Sequence, residues 1–273
     1  MYEIIEKKVL SETVKLMKIK APLIAKKAQA GQFVIIRIDE KGERIPLTIA
    51  DFDRKNGTIT IIFMEIGKTT KQLGLLNVGD FLLNFAGPLG VPSDIEKYGI
   101  VVCIGGGVGI APLYPIIHAL KQKGNYVISI LGARNEKLLM LEKEINEVSD
   151  ELYICTDDGS KGQKGFVSDV LQKLIDEKKK INIVWAVGPV IMMKVLSNLT
   201  KKYSIKTIVS LNPIMIDGTG MCGGCRVSIG GKTKFACVDG PEFDGHLVDF
   251  DNLMLRNRRF ICQEEESCNI KEV

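Results

Sequence analysis

From residue 1 to about residue 93, apolar and polar positions alternate in short stretches rich in β-branched residues, the period-2 pattern of strands with one buried face. Stretches at 4–10, 13–20, 31–38, 47–52, 57–64 and 80–84 are separated by Gly, Asp, Asn and Pro. We therefore expect an antiparallel β-barrel or sandwich, interrupted by a short helix near 70–75. The pattern changes at Gly99. Residues 100–104 form a continuous apolar run, as a parallel strand covered on both faces requires. Glycines then lead into a helix over 112–122, whose proline falls in the first turn, where its missing N–H costs little. Strands at 126–131, 152–156, 182–187 and 207–211 alternate with helices at 136–148, 167–179 and 190–203. This alternation predicts a doubly wound α/β domain around a parallel sheet. A glycine- and cysteine-rich segment follows. The expected division is 1–96, 97–211 and 212–273.

Composition narrows the class. At about 150 residues per domain, 273 residues suit two or three domains, and 45% hydrophobic with 26% charged residues is ordinary globular usage. The net charge of +4 is dispersed, and the run Lys178-Lys179-Lys180 sits at a predicted helix end, where cations favour the dipole. Nucleic-acid binding is not expected. The N-terminus is charged and lacks the apolar run of a secretion signal. Residues 98–120 carry no Lys, Arg, Asp or Glu over a span long enough to cross a bilayer, but Gly105-Gly106-Gly107 and two prolines would break a spanning helix. Seven cysteines, an odd number and locally clustered, argue for a reducing cytoplasm rather than a disulfide framework.

The densest chemistry lies at residues 217–237. Asp217-x4-Cys222-x2-Cys225, with Cys237 after eleven further residues, follows the Cys-x4-Cys-x2-Cys spacing of plant-type [2Fe-2S] loops, with aspartate in place of the first thiolate. Glycines at 218, 220, 223 and 224 allow the backbone to wrap closely. A hairpin of residues 226–229 and 232–235 about Gly230-Gly231 is expected to return Cys237 to Cys225. Structural zinc sites prefer paired Cys and His knuckles, and a thioredoxin-like pair would open a helix, so an iron–sulfur cluster fits this loop better. Cys262 and Cys268 compete with Asp217 for the fourth ligand position. Cys103 and Cys155 read as core residues, as does His118; His246 reads as surface.

Gly107-Val-Gly109-Ile-Ala111-Pro112 resembles a dinucleotide fingerprint with proline in the third position, presenting N–H groups and a helix N-terminus to a pyrophosphate. Ala133-Arg134 and Asp157 lie at strand ends, where a ribose or its phosphate would sit. Ordinary turn chemistry explains them equally well. Arg44-Ile-Pro46-Leu47-Thr48-Ile49 combines a phosphate-binding cation, a stiff backbone and a hydroxyl, and an ordinary strand start is an equal account.

The order of these features resembles the ferredoxin–NADP reductase superfamily, in particular its electron-transfer subunits of the NADH-dependent reduced ferredoxin:NADP oxidoreductase and sulfide dehydrogenase type. The likeness covers essentially the whole chain. It implies that Arg44, Pro46, Leu47, Thr48 and Ile49 contact FAD, with Thr48 facing the isoalloxazine as the reacting-centre residue. It also implies FAD contacts at Met64, Ile66, Gly67, Thr69 and Thr70, and a barrel-closing turn at Gly87. NAD(H) or NADP(H) would be held by Gly105, Gly106, Gly107, Gly109, Ala111, Pro112, Ala133, Arg134, Asp157, Gly188, Pro189 and Met192. Asp217 in place of cysteine points to the ferredoxin:NADP branch; Val187-Gly188 replaces the Cys-Gly common beside the nicotinamide. The resemblance further implies a larger FAD and [4Fe-4S] subunit as heterodimer partner, with ferredoxin reached through the complex. The competing readings are a dihydroorotate dehydrogenase electron-transfer subunit and, from another class, a flavin-free iron–sulfur sensor or scaffold.

Overall fold

The computed structural model describes residues 1–269, with side chains to residue 266, so Cys268 lies outside the described side chains. The first part holds β1 (Tyr2–Val9), β2 (Val14–Lys20), α1 (Pro22–Lys27), β3 (Phe33–Arg37), β4 (Ile45–Asp53), β5 (Thr58–Met64), α2 (Lys68–Leu75), β6 (Phe81–Leu82) and β7 (Asn84–Leu89). Its antiparallel sheet runs β6-β1-β2-β5-β4-β3-β7. The two outer strands, β6 and β7, are separated in the chain by Leu83 alone, so the sheet curls into a nearly closed barrel. Inward residues alternate as the pleat demands: Met17 and Ile19 of β2 meet Ile59 and Ile61 of β5 in the core. The short α1, unforeseen in the pattern, begins with Pro22 in its first turn and plugs one end with Ile24 and Ala25.

The second part comprises β8 (Ile100–Gly106), α3 (Ile110–Gln122), β9 (Tyr126–Ala133), α4 (Glu142–Val148), β10 (Glu151–Thr156), β11 (Gln163–Lys164), α5 (Val167–Asp176), β12 (Ile183–Val187), α6 (Val190–Lys202) and β13 (Lys206–Ser210). Its sheet order is β11-β10-β9-β8-β12-β13, with β16 (Glu242–Asp244) of the last part added at the β13 edge. Side chains of β8 alternate between two layers: Val101 and Cys103 pack with α3 and α4, Val102 and Ile104 with α5 and α6. No helix among the described residues is long and apolar enough to cross a membrane. Residues 98–120 instead supply the central strand, a glycine turn and α3.

The last part contains β14 (Arg226–Ile229), β15 (Lys232–Phe235), α7 (Ala236–Asp239), β16 (Glu242–Asp244), α8 (Phe250–Asn257) and α9 (Ile261–Asn269). The expected hairpin is present as β14 and β15. Strand β16 returns to the nucleotide sheet and pairs antiparallel with β13, Val209 opposite Phe243.

Several expectations change. The helix expected at 136–148 is a single tight turn followed by α4, because Leu141 takes a left-handed conformation (φ 53°). The helix expected to reach 179 ends at Asp176, and Lys178 is left-handed just beyond it. His118 is exposed on α3 rather than core, and His246 is half-buried, its Nε2 3.0 Å from the Thr200 hydroxyl.

Glu242 of β16 joins all three parts. Its carboxylate accepts from the Ser93 hydroxyl (2.7 Å), on the linker after the barrel, and from Trp185 Nε1 (3.1 Å) on β12. Burial pushes its carboxyl above the usual carboxylate range. A carboxyl that titrates higher folded than unfolded favours the folded state most while protonated, so its contribution falls as pH rises through the folded value. We expect Glu242→Gln, which can still accept from Trp185, to raise Tm at mildly alkaline pH and to leave it nearly unchanged in acid; equal shifts at both would refute the account.

Candidate active site

A cleft of about 1350 Å³ opens along the seam between the barrel and the carboxyl ends of the parallel strands. The sheet order β10-β9-β8-β12-β13 reverses direction of growth between β8 and β12, and ligands of open α/β sheets sit at that switch point. Glycine is needed there for space. A Cβ at Gly109 would lie 2.4 Å from the carbonyl oxygen of Val187, and one at Gly106 would lie 2.4 Å from Met192 Sδ. The turn after β8 is thus pressed against the turn after β12, with Met192 of α6 lying over both. Helix α3 opens into the cleft with no acidic residue in its first turn and no side-chain cap. The tight turn at Gly107–Gly109 that leads into it, together with the helix dipole, suits an anion.

Gly107, Pro112, Gly188 and Pro189 line this part of the cleft, with Ala133, Arg134 and Asp157 farther along the strand ends. Cys155, expected in the core, is buried but also reaches the cleft wall; burial pushes its thiol up to about 11. On the barrel side, Pro46, Leu47 and Thr48 of β4 line the cleft together with Met64, Ile66 and Thr70. Thr70 anchors this wall, its hydroxyl accepting from the N–H groups of Ile66 (3.0 Å) and Gly67 (3.1 Å). Thr69 donates to Glu43 (2.7 Å), tying α2 to the segment before β4, and Lys7 donates to the carbonyls of Gly74 and Leu76 at the other end of α2.

Other nominated residues have different places. Ile49 and Ala111 are fully buried side chains of the barrel core and of the α3 packing, and Gly105 lies inside the sheet with no face on the cleft. Their side chains serve packing, which leaves their backbone groups as what they could offer a cofactor. Gly87 sits in β7, where a Cβ would meet Val34 at 2.8 Å, and Gly67 caps α2. Arg44 is exposed beside the cleft, outside its lining, with no hydrogen-bond or ion-pair partner among the described residues. Sequence reasoning missed Glu12 and Thr13, in and beside the turn between β1 and β2, and Ser210 to Asn212 at and beyond the end of β13. The strand-end rule that found Asp157 would have found the second set.

The cysteine loop lies beyond β13. Cys225 and Cys237 are buried, and Cys225 Sγ donates to Cys237 Sγ at 3.2 Å, brought together by the hairpin. Burial and the neighbouring Cys225 push the Cys237 thiol up, so a metal entering here must displace protons. Cys222 is exposed, and its sulfur accepts the Gly224 N–H at 3.4 Å. Gly218, Gly220 and Gly223 all have positive φ, which lets the loop wrap. The Asp217 carboxylate accepts from the N–H groups of Thr219 and Cys222, each at 2.7 Å, which hold it well below the usual carboxylate range. Among the described residues no three metal-ligating groups are already gathered into a closed site. Two converged thiols, a third carried on a glycine turn and an ionised carboxylate nonetheless form a donor set suited to iron rather than to a hard cation.

Comparison with known proteins agrees with this arrangement. Residues 212–249 match the iron–sulfur cluster binding domain of dihydroorotate dehydrogenase B, and residues 103–198 match the oxidoreductase NAD-binding domain. The chain is 51% identical over 265 residues to a dihydroorotate dehydrogenase B (NAD(+)) electron transfer subunit homolog of Thermotoga maritima, covering 97% of this chain and 93% of that one. It belongs to the dihydroorotate dehydrogenase B electron-transfer subunit family. Within this family's fold, it superposes with a TM-score of 0.93 and 49% identity on a structure of NADH-dependent reduced ferredoxin-NADP oxidoreductase, covering 98% of this chain and 96% of the other. A ferredoxin NADP+ reductase from Neisseria gonorrhoeae, at 18% identity and a TM-score of 0.62, covers 74% of this chain and 90% of its own and shares the fold. The chain is thus an oxidoreductase electron-transfer subunit of ferredoxin–NADP reductase type, with an NAD-binding and an iron–sulfur binding domain.

Proposed function

We propose that this chain relays electrons between NAD(P)H, an FAD held against the barrel wall and a [2Fe-2S] cluster ligated by Asp217, Cys222, Cys225 and Cys237, delivering them to a larger partner subunit in ferredoxin:NADP(H) oxidoreduction. The observation that carries this reading is the single cleft whose two walls differ in chemistry: a glycine turn and open helix N-terminus on one side, the Pro46-Leu47-Thr48 strand on the other. In the cleft nicotinamide would supply hydride and flavin would convert electron pairs to single electrons, which an iron–sulfur centre on the cysteine loop would take one at a time.

The chain's own residues bind and orient. Gly106, Gly107 and Gly109 allow the backbone to approach a pyrophosphate, Arg134 and Asp157 address the adenosine end, and Met192 covers the nicotinamide side. Arg44, exposed two residues before Pro46 of the cleft wall, would meet a flavin phosphate. Thr48 would offer a hydroxyl to the flavin, and the apolar side chains of Leu47, Ile62 and Met64 would exclude water from it. The hydride chemistry that nicotinamide and flavin would supply asks no acid or base of the side chains.

The likeness to the ferredoxin-NADP oxidoreductase structure over nearly the whole chain, together with aspartate rather than cysteine at 217, supports the ferredoxin branch with a larger FAD and [4Fe-4S] partner. The names of the curated relatives support a second reading, with a dihydroorotate dehydrogenase as partner. The clustered thiols suit a reducing cytoplasm.

Anaerobic purification with the native partner tests the proposal. Flavin and cluster absorbance on this chain, with NADH-driven reduction of ferredoxin and NADP+ by the complex, is expected; dihydroorotate oxidation would move it to the second reading. Thr48→Val is expected to retain FAD but slow flavin reduction roughly tenfold, the kinetic equivalent of one hydrogen bond of about 1.4 kcal/mol. Unchanged stopped-flow rates would remove Thr48 from the reacting centre.

A further inference from the structure

Helix α8 ends beside the cysteine loop, and Arg256 of its last turn and Arg259 just beyond it converge on that loop. Arg256 Nη2 and Arg259 Nη2 each donate to the carbonyl oxygen of Gly224 at 3.3 Å. Arg259 Nε also donates to the Arg256 carbonyl at 3.0 Å, which fixes the two guanidinium groups relative to each other. Gly224 lies between Cys222 and Cys225 and gives its own N–H to Cys222 Sγ. Both of its polar groups are therefore engaged, one by a thiol and the other by two cations.

The local charge is one-sided. Burial depresses the Arg256 guanidinium below its ordinary range, helped by Arg259 and then by Arg226, which follows Cys225 directly. Arg226, Arg256 and Arg259 form no ion pair with a carboxylate among the described residues. Arg256 Nε is buried without a hydrogen-bond partner. Cations at a helix C-terminus interact favourably with the dipole, but that role leaves them solvated; it does not direct two of them to one loop carbonyl. Arg258, between them in sequence, is exposed and makes no such contact. Like charge gathered around one loop, with Arg256 Nε buried and unpartnered, suits an anion. Three thiolates and one carboxylate around two ferric ions and two sulfides carry net negative charge, which grows by one on reduction.

We propose that Arg256 and Arg259 act as a cationic clasp on the Gly224 carbonyl, fixing the Cys222 to Cys225 turn and raising the reduction potential of the iron–sulfur centre held there. The inference rests on the cluster reading above. The centre gains one electron, supplied by NAD(P)H through the flavin, and no bond of either arginine changes. Because the reduced form is the more negative, nearby cations stabilise it more than the oxidised form. The arginines are positioning residues and contact no reacting atom.

The test is an EPR-monitored redox titration of the full chain, with iron content measured on each sample. Poised at the parent midpoint, the Arg256→Gln/Arg259→Gln double variant is expected to show a reduced-to-oxidised ratio about tenfold lower, equivalent to about 59 mV for a one-electron couple. The corresponding double lysine variant, which retains charge, is expected to recover most of that ratio, and Arg258→Gln to stay near the parent. A glutamine double variant with parent iron content and a ratio within twofold of the parent overturns the clasp. So does an Arg258→Gln shift as large as that of Arg259→Gln, which would assign the effect to bulk charge. If the double variant loses its iron, Arg259→Gln alone, at an exposed position, decides by direction: a lower ratio supports the clasp and an unmoved one overturns it. A parent chain without iron overturns the cluster reading itself.

Discussion

Cys225→Ser and Cys237→Ser are each expected to strip iron from the chain, lowering iron per protein more than tenfold after anaerobic purification. Their sulfurs already lie 3.2 Å apart in a buried pocket, so either change removes a donor that the hairpin has placed with no substitute in reach. Serine is a harder ligand that rarely ionises, and it cannot replace thiolate donation to iron. Cys222→Ser is expected to act in the same direction. Asp217→Cys should keep the cluster and lower its potential, since a fourth thiolate donates more to the oxidised iron. Cys262, exposed on α9, is the control: Cys262→Ser should leave iron content and the EPR signal as in the parent. Iron retained by Cys225→Ser and Cys237→Ser, or lost from Cys262→Ser, would redraw the ligand set.

Gly109→Ala is expected to weaken NAD(P)H binding at least tenfold and to destabilise the fold by about 1–3 kcal/mol, the usual range for overpacking. The new methyl group would sit 2.4 Å from the backbone oxygen of Val187, so the turns after β8 and β12 must part, and those two turns form the floor of the cleft. Gly107→Ala supplies the contrast. Gly107 has φ 55° with nothing within 4 Å of a Cβ, so the cost there is conformational, roughly 1 kcal/mol, with no backbone driven apart. Equal losses in the two variants, read by calorimetric titration with nucleotide and by urea unfolding, would show that conformation rather than contact distance sets the cleft floor.

Much of the architecture was legible because it depends on period. Alternation in β2 and the unbroken apolar run of β8 announce a half-covered and a doubly covered strand respectively. The cysteine spacing with its Gly230-Gly231 turn was sufficient to bring Cys237 to Cys225. Residues whose surroundings are built by distant segments were less legible. Ile49 neighbours Thr48, yet the pleat turns it into the barrel core, and Ala111 lies in the glycine motif while its methyl group faces packed strands. His118 sits among apolar neighbours in sequence but falls on the outward face of α3. Arg256 and Arg259 read as an ordinary basic patch, because nothing local indicates that Gly224, more than thirty residues earlier, is their acceptor.

The return of β16 to the edge of the nucleotide sheet limits how such a protein can be taken apart. The chain leaves β13, forms the cysteine loop and hairpin, and then hydrogen-bonds Glu242, Phe243 and Asp244 back to the strand it left. An excised C-terminal fragment would lose its β13 partner, and the remaining sheet would be left with a bare, aggregation-prone edge. The metal-binding loop is therefore no cassette to be grafted onto another reductase by joining ends at residue 211. A working chimera would have to bring β13 with it, and with β13 the neighbouring Trp185 that grips Glu242.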